Sequence, residues 1–355
     1  MAETKANISP QQRAQLFAQA TRQYFQMLPS KQVPQEQMSV DFSLPKTRLL
    51  SRILLNVEAV ATLKSNAATI AKDAFTPHGI LRRVTLDLNN GFSPFIVAGK
   101  DLYLYNYLRQ QPNVLIPGND TQSMNYVENA SSAAGTDAKI QFTIEIPVCL
   151  NPRDPVGLIM LQNDETSVKL TVDVDQLKNA YVLNQVNNDS VTFKSMTITP
   201  MLETFSIPPM KEAFPDISVL KLVQSKADLF SGGGQNIVKL NVGTIYRKLI
   251  MYVQDADGNP MKPDDFNGNI ELVFNQADAP YAIKPQILTH LNHSQLGYPL
   301  PKGVYVFDFS NQGVPNLGGS RDYIDTERLT EFWLRFSTVK PGRISIVSET
   351  LSRLR

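Results

Sequence analysis

The chain has 355 residues and a formal net charge of +1 from 34 basic and 33 acidic side chains, so it lacks the basic excess of proteins that bind nucleic acid by neutralising phosphates. Its 42% hydrophobic residues suffice for a buried core, and its length suggests two domains.

The one cysteine, Cys149, excludes an intrachain disulfide and any cysteine-built metal cluster. No apolar run approaches the roughly 18 residues of a membrane span, and the N-terminus lacks the pattern of a secretion signal, so we expect a protein that stays where thiols are reduced.

The N-terminal segment predicts an amphipathic helix that begins at Pro10 and ends at Pro29. Ser9 is a suitable N-cap, proline fits the first helical position, and Gln12 completes a capping box. Apolar residues then recur at helical spacing, and these are Leu16, Phe17, Ala20, Tyr24 and Leu28. All residues charged at neutral pH between positions 10 and 34 are basic. The segment is therefore a basic amphipathic helix followed by a proline-interrupted arm.

Two interpretations of this helix stay open. It packs as an ordinary helix on its own domain, or it lies on an anionic lipid surface or a neighbouring subunit. The second interpretation assigns membrane or neighbour-subunit contact to a set of basic and apolar residues, which are Arg13, Leu16, Phe17, Arg22, Tyr24, Phe25 and Lys31.

Beyond position 48 the hydrophobic pattern changes to period two, which is typical of half-buried strands. The first clear run is 53–63, and a later run at 191–198 contains a slip of one residue. Similar runs continue to 344–346, separated by clusters of Gly, Pro, Asn and Asp. Helical spacing beyond the N-terminus is confined to 101–110 and 326–331. The sequence therefore predicts an all-β protein.

The two halves of the chain look like copies of one domain. The basic pair at 82–83 aligns with the pair at 247–248, and Thr171 aligns with Leu334, at nearly equal separations along the chain. Each half has the size of an eight-stranded jelly roll. We therefore predict two tandem jelly rolls with four segments in all: an N-terminal helix and arm at 1–45, a first jelly roll at 46–206, a proline-rich connection at 207–218, and a second jelly roll at 219–355.

Residues that carry catalytic chemistry are sparse. His290 and His293 lie three residues apart, but no cluster of further ligands lies beside them in the sequence, and we expect both in a solvated loop. Cys149 lies in a strand-like apolar run and is expected to be a small buried hydrophobe. The nucleophile elbow and the phosphate-binding loop are both missing. We therefore expect no enzyme and no cofactor.

Residues 301–336 resemble a known family. The strand PKGVYVFD at 301–308 and the stretch NLGGSRDYIDTERLTEFWLRF at 316–336 are similar to the last third of tectivirus-type major capsid proteins. That family has a strand, a loop that opens with small residues, a short helix and a hydrophobic strand, which correspond here to 304–309, 313–321, 325–331 and 332–336. The resemblance is greatest to the version in membrane-containing icosahedral phages of Gram-positive hosts.

The resemblance implies a major capsid protein that forms pseudo-hexagonal homotrimers and tiles an icosahedral shell around an internal membrane. Its expected partners are further copies of itself, the internal viral lipid membrane, and penton and minor capsid proteins, without sequence-specific binding of nucleic acid. Its expected location is the virion, after assembly in the host bacterial cytoplasm. The alternative is a tandem β-sandwich that binds carbohydrate or a receptor, with Tyr126 and Tyr298 as candidate aromatic platforms.

Overall fold

The computed structural model describes residues 9–89, 91–110, 115, 118, 125–150, 155–163, 165–310 and 324–353. These residues divide into two compact units, Met1–Lys221 and Leu222–Arg355. Strands dominate both units, as the period-two pattern predicts. The helices in the described residues are α1 (Pro10–Ala20), α2 (Gly99–Tyr107) and α3 (Pro285–Leu296).

The first unit contains the strands β1 (Gln23–Met27), β2 (Lys31–Val33), β3 (Ser39–Ser43), β4 (Leu49–Lys64), β5 (Ala71–Lys72), β6 (Leu81–Leu88), β7 (Phe92–Val97), β8 (Asn125–Val127), β9 (Thr136–Pro147), β10 (Ile159–Met160), β11 (Val168–Val174), β12 (Tyr181–Val182) and β13 (Ser190–Phe205). The second unit contains the strands β14 (Val219–Phe230, which begins before the division), β15 (Gln235–Leu240), β16 (Ile245–Asp255), β17 (Ile270–Phe274), β18 (Asp278–Ile283), β19 (Val304–Asp308), β20 (Ile324–Asp325), β21 (Phe332–Ser337) and β22 (Gly342–Arg353).

Both units have the strand order of a jelly roll, whose strands are lettered B to I in chain order and form the sheets B-I-D-G and C-H-E-F. In the second unit these sheets are β14-β22-β16-β19 and β15-β21-β17-β18. In the first unit they are β1-β13-β4-β9 and β3-β11-β6-β7, with β8 added beside β9. Strands B and C of the first jelly roll therefore lie in the segment 1–45 that the sequence assigns to an arm.

The predicted alternation matches the observed burial. Along β4 every second side chain from Ile53 to Leu63 is almost fully buried, as predicted. The predicted slip in β13 is a β-bulge, where the register shifts between Phe193 and Ser195. In the second unit, β16, β17, β21 and β22 supply one continuous apolar core.

Three local predictions are wrong. The segment 326–331 is not helical, and α3 covers 285–296, where the sequence predicted a solvated loop around the two histidines. The basic pairs at 82–83 and 247–248 also do not correspond, because they lie in strand E of one jelly roll and strand D of the other. Thr171 and Leu334 both lie in strand H, but Thr171 is half-buried and Leu334 is fully buried, so their alignment matches the strand and not the face. The predicted loop at 313–321 lies outside the described residues.

A buried ion pair between strands D and I occurs in both jelly rolls. The Arg52 guanidinium contacts the carboxylate of Glu203, whose side chain is fully buried. Arg247 Nε lies 3.2 Å from Glu349 Oε1, and the Glu349 side chain is likewise almost fully buried. In each case strand D carries one extra residue at this point, Ser51 or Arg247, so that a β-bulge adjoins the pair.

A buried asparagine in the helix between strands F and G is the second repeated feature. Asn106, the eighth residue of α2, donates through Nδ2 to the Glu145 carbonyl on strand G at 2.9 Å. Asn292, the eighth residue of α3, donates to the Val306 carbonyl on strand G at 2.7 Å and accepts from the Val306 N–H at 3.1 Å. Two independent contacts at equivalent positions support duplication of one domain, and they make α2 and α3 equivalent helices.

Candidate interaction surfaces

The start of the N-terminal helix has the geometry that its sequence predicts. Ser9 Oγ accepts from the Gln12 N–H at 3.2 Å, and Gln12 Oε1 accepts from the Ser9 N–H at 3.0 Å. The next turns hold the helix on the first jelly roll, because Phe17 is buried in a cluster with Leu49, Cys149 and Leu158. Phe17 therefore packs in the core of its own chain, whereas the sequence predicted that it contacts a membrane or a neighbouring subunit.

Helix α1 ends at Ala20, nine residues before the predicted end at Pro29. Residues 23–27 instead form β1, which pairs antiparallel with β13, and β2 continues the pairing along the same strand. Tyr24 and Phe25 are aromatic residues of high β-propensity, and the open side of β13 supplies ladder hydrogen bonds that an isolated helix end lacks. Tertiary pairing therefore overrides the helical spacing of the apolar residues.

Most of the remaining residues predicted for contact already have partners within the chain. The centroid of the Tyr24 ring lies 3.7 Å from the Arg48 guanidinium carbon. Lys31 Nζ donates to the Asp41 carbonyl at 2.5 Å. Arg13 and Leu16 are half-buried, and Arg22 is exposed. The structure therefore leaves Arg13, Leu16, Arg22 and Phe25 as the solvent-facing part of the predicted set.

Two exposed apolar pairs stand out among the described residues. On β1 the side chains of Phe25 and Met27 are 57% and 69% exposed. On α3 the side chains of Ile287 and Leu291 are 52% and 37% exposed and lie one helical turn apart. Neither β1 nor α3 contains an Asp, Glu, Lys or Arg residue. The sequence analysis did not predict that Met27, Ile287 and Leu291 are exposed. The helical spacing of Ile287 and Leu291 was a signal that these two share one face of a helix.

Two further side chains with titratable groups, His78 and Cys149, lie in the interior of the first unit. His78 is completely buried, and its ring centroid lies 5.1 Å from those of Tyr103 and Phe142. Neither ring nitrogen of His78 has a hydrogen-bond partner among the described residues, and burial lowers its pKa to about 3. Cys149 is buried as predicted, and burial raises the pKa of its thiol.

Within the described ranges, His, Cys, Asp and Glu form no group of three that is placed to hold a metal ion. His290 and His293 lie on the exposed side of α3. The candidate carbohydrate platforms are only half-exposed, and the Tyr126 hydroxyl donates to Glu128 at 2.7 Å. No helix of the described chain is both long and apolar enough to cross a membrane.

The sequence matches no family model and no curated protein. Solved structures are similar to it at low identity. The MCP of STIV (Sulfolobus Turreted Icosahedral Virus) is 11% identical, with a TM-score of 0.68 over 94% of this chain and 97% of that chain. The Faustovirus major capsid protein is 10% identical, with a TM-score of 0.59 over 94% and 90%.

The major capsid protein P2 from bacteriophage PM2 is also 10% identical, with a TM-score of 0.57 over 94% of this chain and 98% of that chain. The similarity therefore extends over nearly the whole length of chains whose sequences have diverged almost completely. Together with the strand order of both units, it shows that the chain has the double jelly-roll fold of these capsid proteins.

Proposed function

We propose that this chain is the major capsid protein of a membrane-containing icosahedral virus of the tectivirus type. One observation carries the proposal: the similarity to structures named as major capsid proteins covers at least nine-tenths of both chains in each comparison. The tectivirus-type assignment, with a Gram-positive host, rests on the resemblance of residues 301–336.

The double fold gives a physical reason for a trimer. Three chains with two similar jelly rolls each place six near-equivalent blocks around a threefold axis. Such a tile fits a hexagonal lattice while its own symmetry stays closed and cyclic. In this proposal the protein forms homotrimers that contact neighbouring trimers, penton proteins and minor capsid proteins. It resides in the virion shell after assembly in the host cytoplasm and does not read nucleic acid sequence.

The solvent-facing part of the N-terminal segment is the proposed contact with the internal membrane. Arg13 and Arg22 supply positive charge for anionic headgroups, and Leu16 supplies apolar area beside them. Flotation with phosphatidylglycerol vesicles tests this role. The double change Arg13→Glu and Arg22→Glu should abolish binding at low salt, whereas Lys302→Glu, in the second unit, should leave it intact. Equal binding by all three proteins would refute the membrane contact.

Light scattering of the purified protein tests the function itself. We expect a species of three times 39.6 kDa that persists on dilution, and electron microscopy of concentrated samples should show tiles with hexagonal outlines. A monomer at every concentration would refute the capsid proposal. A monomer that also binds immobilised glycans would support the alternative of a carbohydrate-binding sandwich.

A further inference from the structure

The edge strands of the jelly-roll sheets differ in how the chain protects them. An unprotected edge presents N–H and C=O groups with which a strand of another chain can pair. Strand G is blocked in both jelly rolls by the asparagine of the helix between F and G. Asn292 accepts from the Val306 N–H and donates to the Val306 carbonyl. Asn106 donates to the Glu145 carbonyl on β9, which β8 also covers.

Strand C is blocked in both jelly rolls by a lysine that reaches over from strand B. Lys31 Nζ, on β2, donates to the Asp41 carbonyl on β3 at 2.5 Å. Lys226 Nζ, on β14, donates to the Lys239 carbonyl on β15 at 3.3 Å. Each of these strands C also carries a charged side chain, Asp41 or Lys239. A lysine and an edge charge both discourage pairing with a foreign strand.

Strand F carries a proline beside a β-bulge in both jelly rolls. These residues are Pro94 in β7 and Pro280 in β18. Proline cannot donate to a ladder, and a bulge disrupts its register, so both protect an edge. Strand B of the second jelly roll, β14, is charged and includes an ion pair of Lys226 with Asp228 at 2.7 Å.

Strand β1, in strand B of the first jelly roll, has none of these protections. Its residues on the β13 side are the even-numbered ones, because the Ser206 N–H donates to the Arg22 carbonyl. The Leu28 N–H likewise donates to the Pro200 carbonyl. Hydrogen-bonded pairs alternate along antiparallel strands, so the N–H and C=O groups of residues 23, 25 and 27 point away from β13. No other described residue bonds to these groups.

The sequence of β1 fits pairing with an identical strand. Among the described strands B, C, F and G of the two jelly rolls, β1 alone contains neither a charged residue nor a proline. A twofold axis sets a strand against its own copy, so any charge near the axis would meet a like charge. The uncharged β1 avoids this cost, and its exposed Phe25 and Met27 gain apolar contacts.

We propose that β1 pairs antiparallel with β1 of a second copy of this chain across a twofold axis at Phe25. In this register Phe25 lies opposite its own copy, and Gln23 lies opposite Met27 of the other chain. All the outward N–H and C=O groups of the three residues are then paired. The two Phe25 rings lie side by side on one face of the joined sheet as an aromatic cross-strand pair.

The place of this contact in a shell rests on the proposed function. Neighbouring trimers in a hexagonal lattice are related by twofold axes, so the pairing of β1 with β1 joins two tiles. The contact itself needs no trimer, because β1 and its neighbour β13 belong to one jelly roll. Two five-residue strands bury little area, so the contact is weak in solution and is best detected by trapping.

Oxidation of Phe25→Cys tests the pairing and its register. Hydrogen-bonded residues of antiparallel strands have Cα atoms about 5.5 Å apart, within the span of a disulfide, so we expect a linked pair of chains. Met27→Cys is the matched control, since Met27 is at least as exposed and lies on the same strand. Its own copy lies about 13 Å away along the strand, so it should not link. A mixture of Met27→Cys with Gln23→Cys should link the two variants.

The native thiol does not compete in this experiment, because Cys149 is buried and burial raises its pKa. A link in Phe25→Cys without a link in Met27→Cys supports the proposed register. No link in Phe25→Cys, or equal linking of both variants, overturns it. A trimer by light scattering without the Phe25→Cys link overturns the contact and leaves the capsid function standing. A linked pair from a chain that forms no trimer supports the contact and overturns the capsid function.

Charge at the axis provides an independent measurement. Phe25→Lys replaces the aromatic pair with two facing ammonium groups, and sedimentation should show that two of the smallest species combine about tenfold more weakly. Phe25→Glu should act likewise, and a mixture of the two variants should recover, because opposite charges then meet at the axis. Val186→Lys, at another exposed apolar site, is the control and should associate like the wild type. Unweakened association of Phe25→Lys, or no recovery in the mixture, would overturn the proposed pairing.

Discussion

The buried histidine of the first jelly roll should make folding sensitive to mild acid. His78 is neutral in the folded protein because burial lowers its pKa from 6.5 to about 3. In the unfolded chain the same ring takes up a proton below pH 6.5. Between these two pKa values the unfolded state binds more protons than the folded state, so stability falls as the pH falls.

The magnitude follows from the size of the shift. One group well inside this window contributes about 1.4 kcal/mol of stability per pH unit. Because the unfolded ring is already half-protonated at pH 6.5, acidification from pH 6.5 to pH 4.5 removes about 2.3 kcal/mol. This is a large fraction of the few kcal/mol to roughly 15 kcal/mol that stabilise a typical domain. The loss should level off near pH 3, where the folded protein also protonates His78.

The change His78→Phe isolates this contribution. Phenylalanine keeps the aromatic contacts with Tyr103 and Phe142 and removes two buried nitrogens that have no hydrogen-bond partner among the described residues. Urea unfolding at half-unit intervals between pH 7 and pH 4.5, followed by circular dichroism, gives the free energy of unfolding of both proteins. The variant should lose about 2.3 kcal/mol less than the wild type between pH 6.5 and pH 4.5.

Any steric cost of the larger ring is independent of pH and does not alter the comparison of slopes. Val186→Phe at an exposed site, which removes no ionisable group, serves as the matched control and should keep the wild-type slope. Parallel pH profiles for the wild type and His78→Phe would show that His78 titrates equally in both states and would refute the reasoning.

Three further changes test contacts of the fold. Arg52→Met leaves the buried Glu203 carboxylate without its cation and should destabilise the protein by about 3 kcal/mol in urea unfolding, with recovery on adding Glu203→Met. Asn292→Ala leaves the buried N–H and carbonyl of Val306 unpaired, and calorimetry should show a loss of about 2–4 kcal/mol. Phe17→Ala removes the anchor of α1, and hydrogen exchange should show faster amide exchange over residues 10–20.

Each of these three predictions has an outcome that would contradict it. An Arg52→Met protein as stable as the wild type would show that the ion pair contributes nothing to the D–I contact. The exposed His290→Ala serves as the control for Asn292→Ala. If calorimetry shows the same stability for both variants and the wild type, the repeated asparagine is dispensable. Unchanged exchange in Phe17→Ala would show that other contacts hold α1.

The local patterns of the sequence predicted the elements that depend on near neighbours. The cap at Ser9 and Gln12 needs only residues three apart, and the alternation along β4 needs only one buried face. The bulge in β13 also appears in the sequence as a slip in that alternation. The apparent duplication and the size of each half predicted two jelly rolls, the resemblance of residues 301–336 agreed with them, and the strand order of both units confirms them.

Contacts between distant residues decided the rest. The apolar spacing of residues 16–28 fits a helix, but β13, some 170 residues later, offers a free edge that makes residues 23–27 a strand. The aligned basic pairs are equally plausible in any strand, and only the pairing of D with I shows that Glu203 and Glu349 are the two buried carboxylates that each receive an arginine from strand D beside a bulge. Which apolar side chains face water also depends on the finished packing, because a sequence specifies periodicity but not the partner that covers each face.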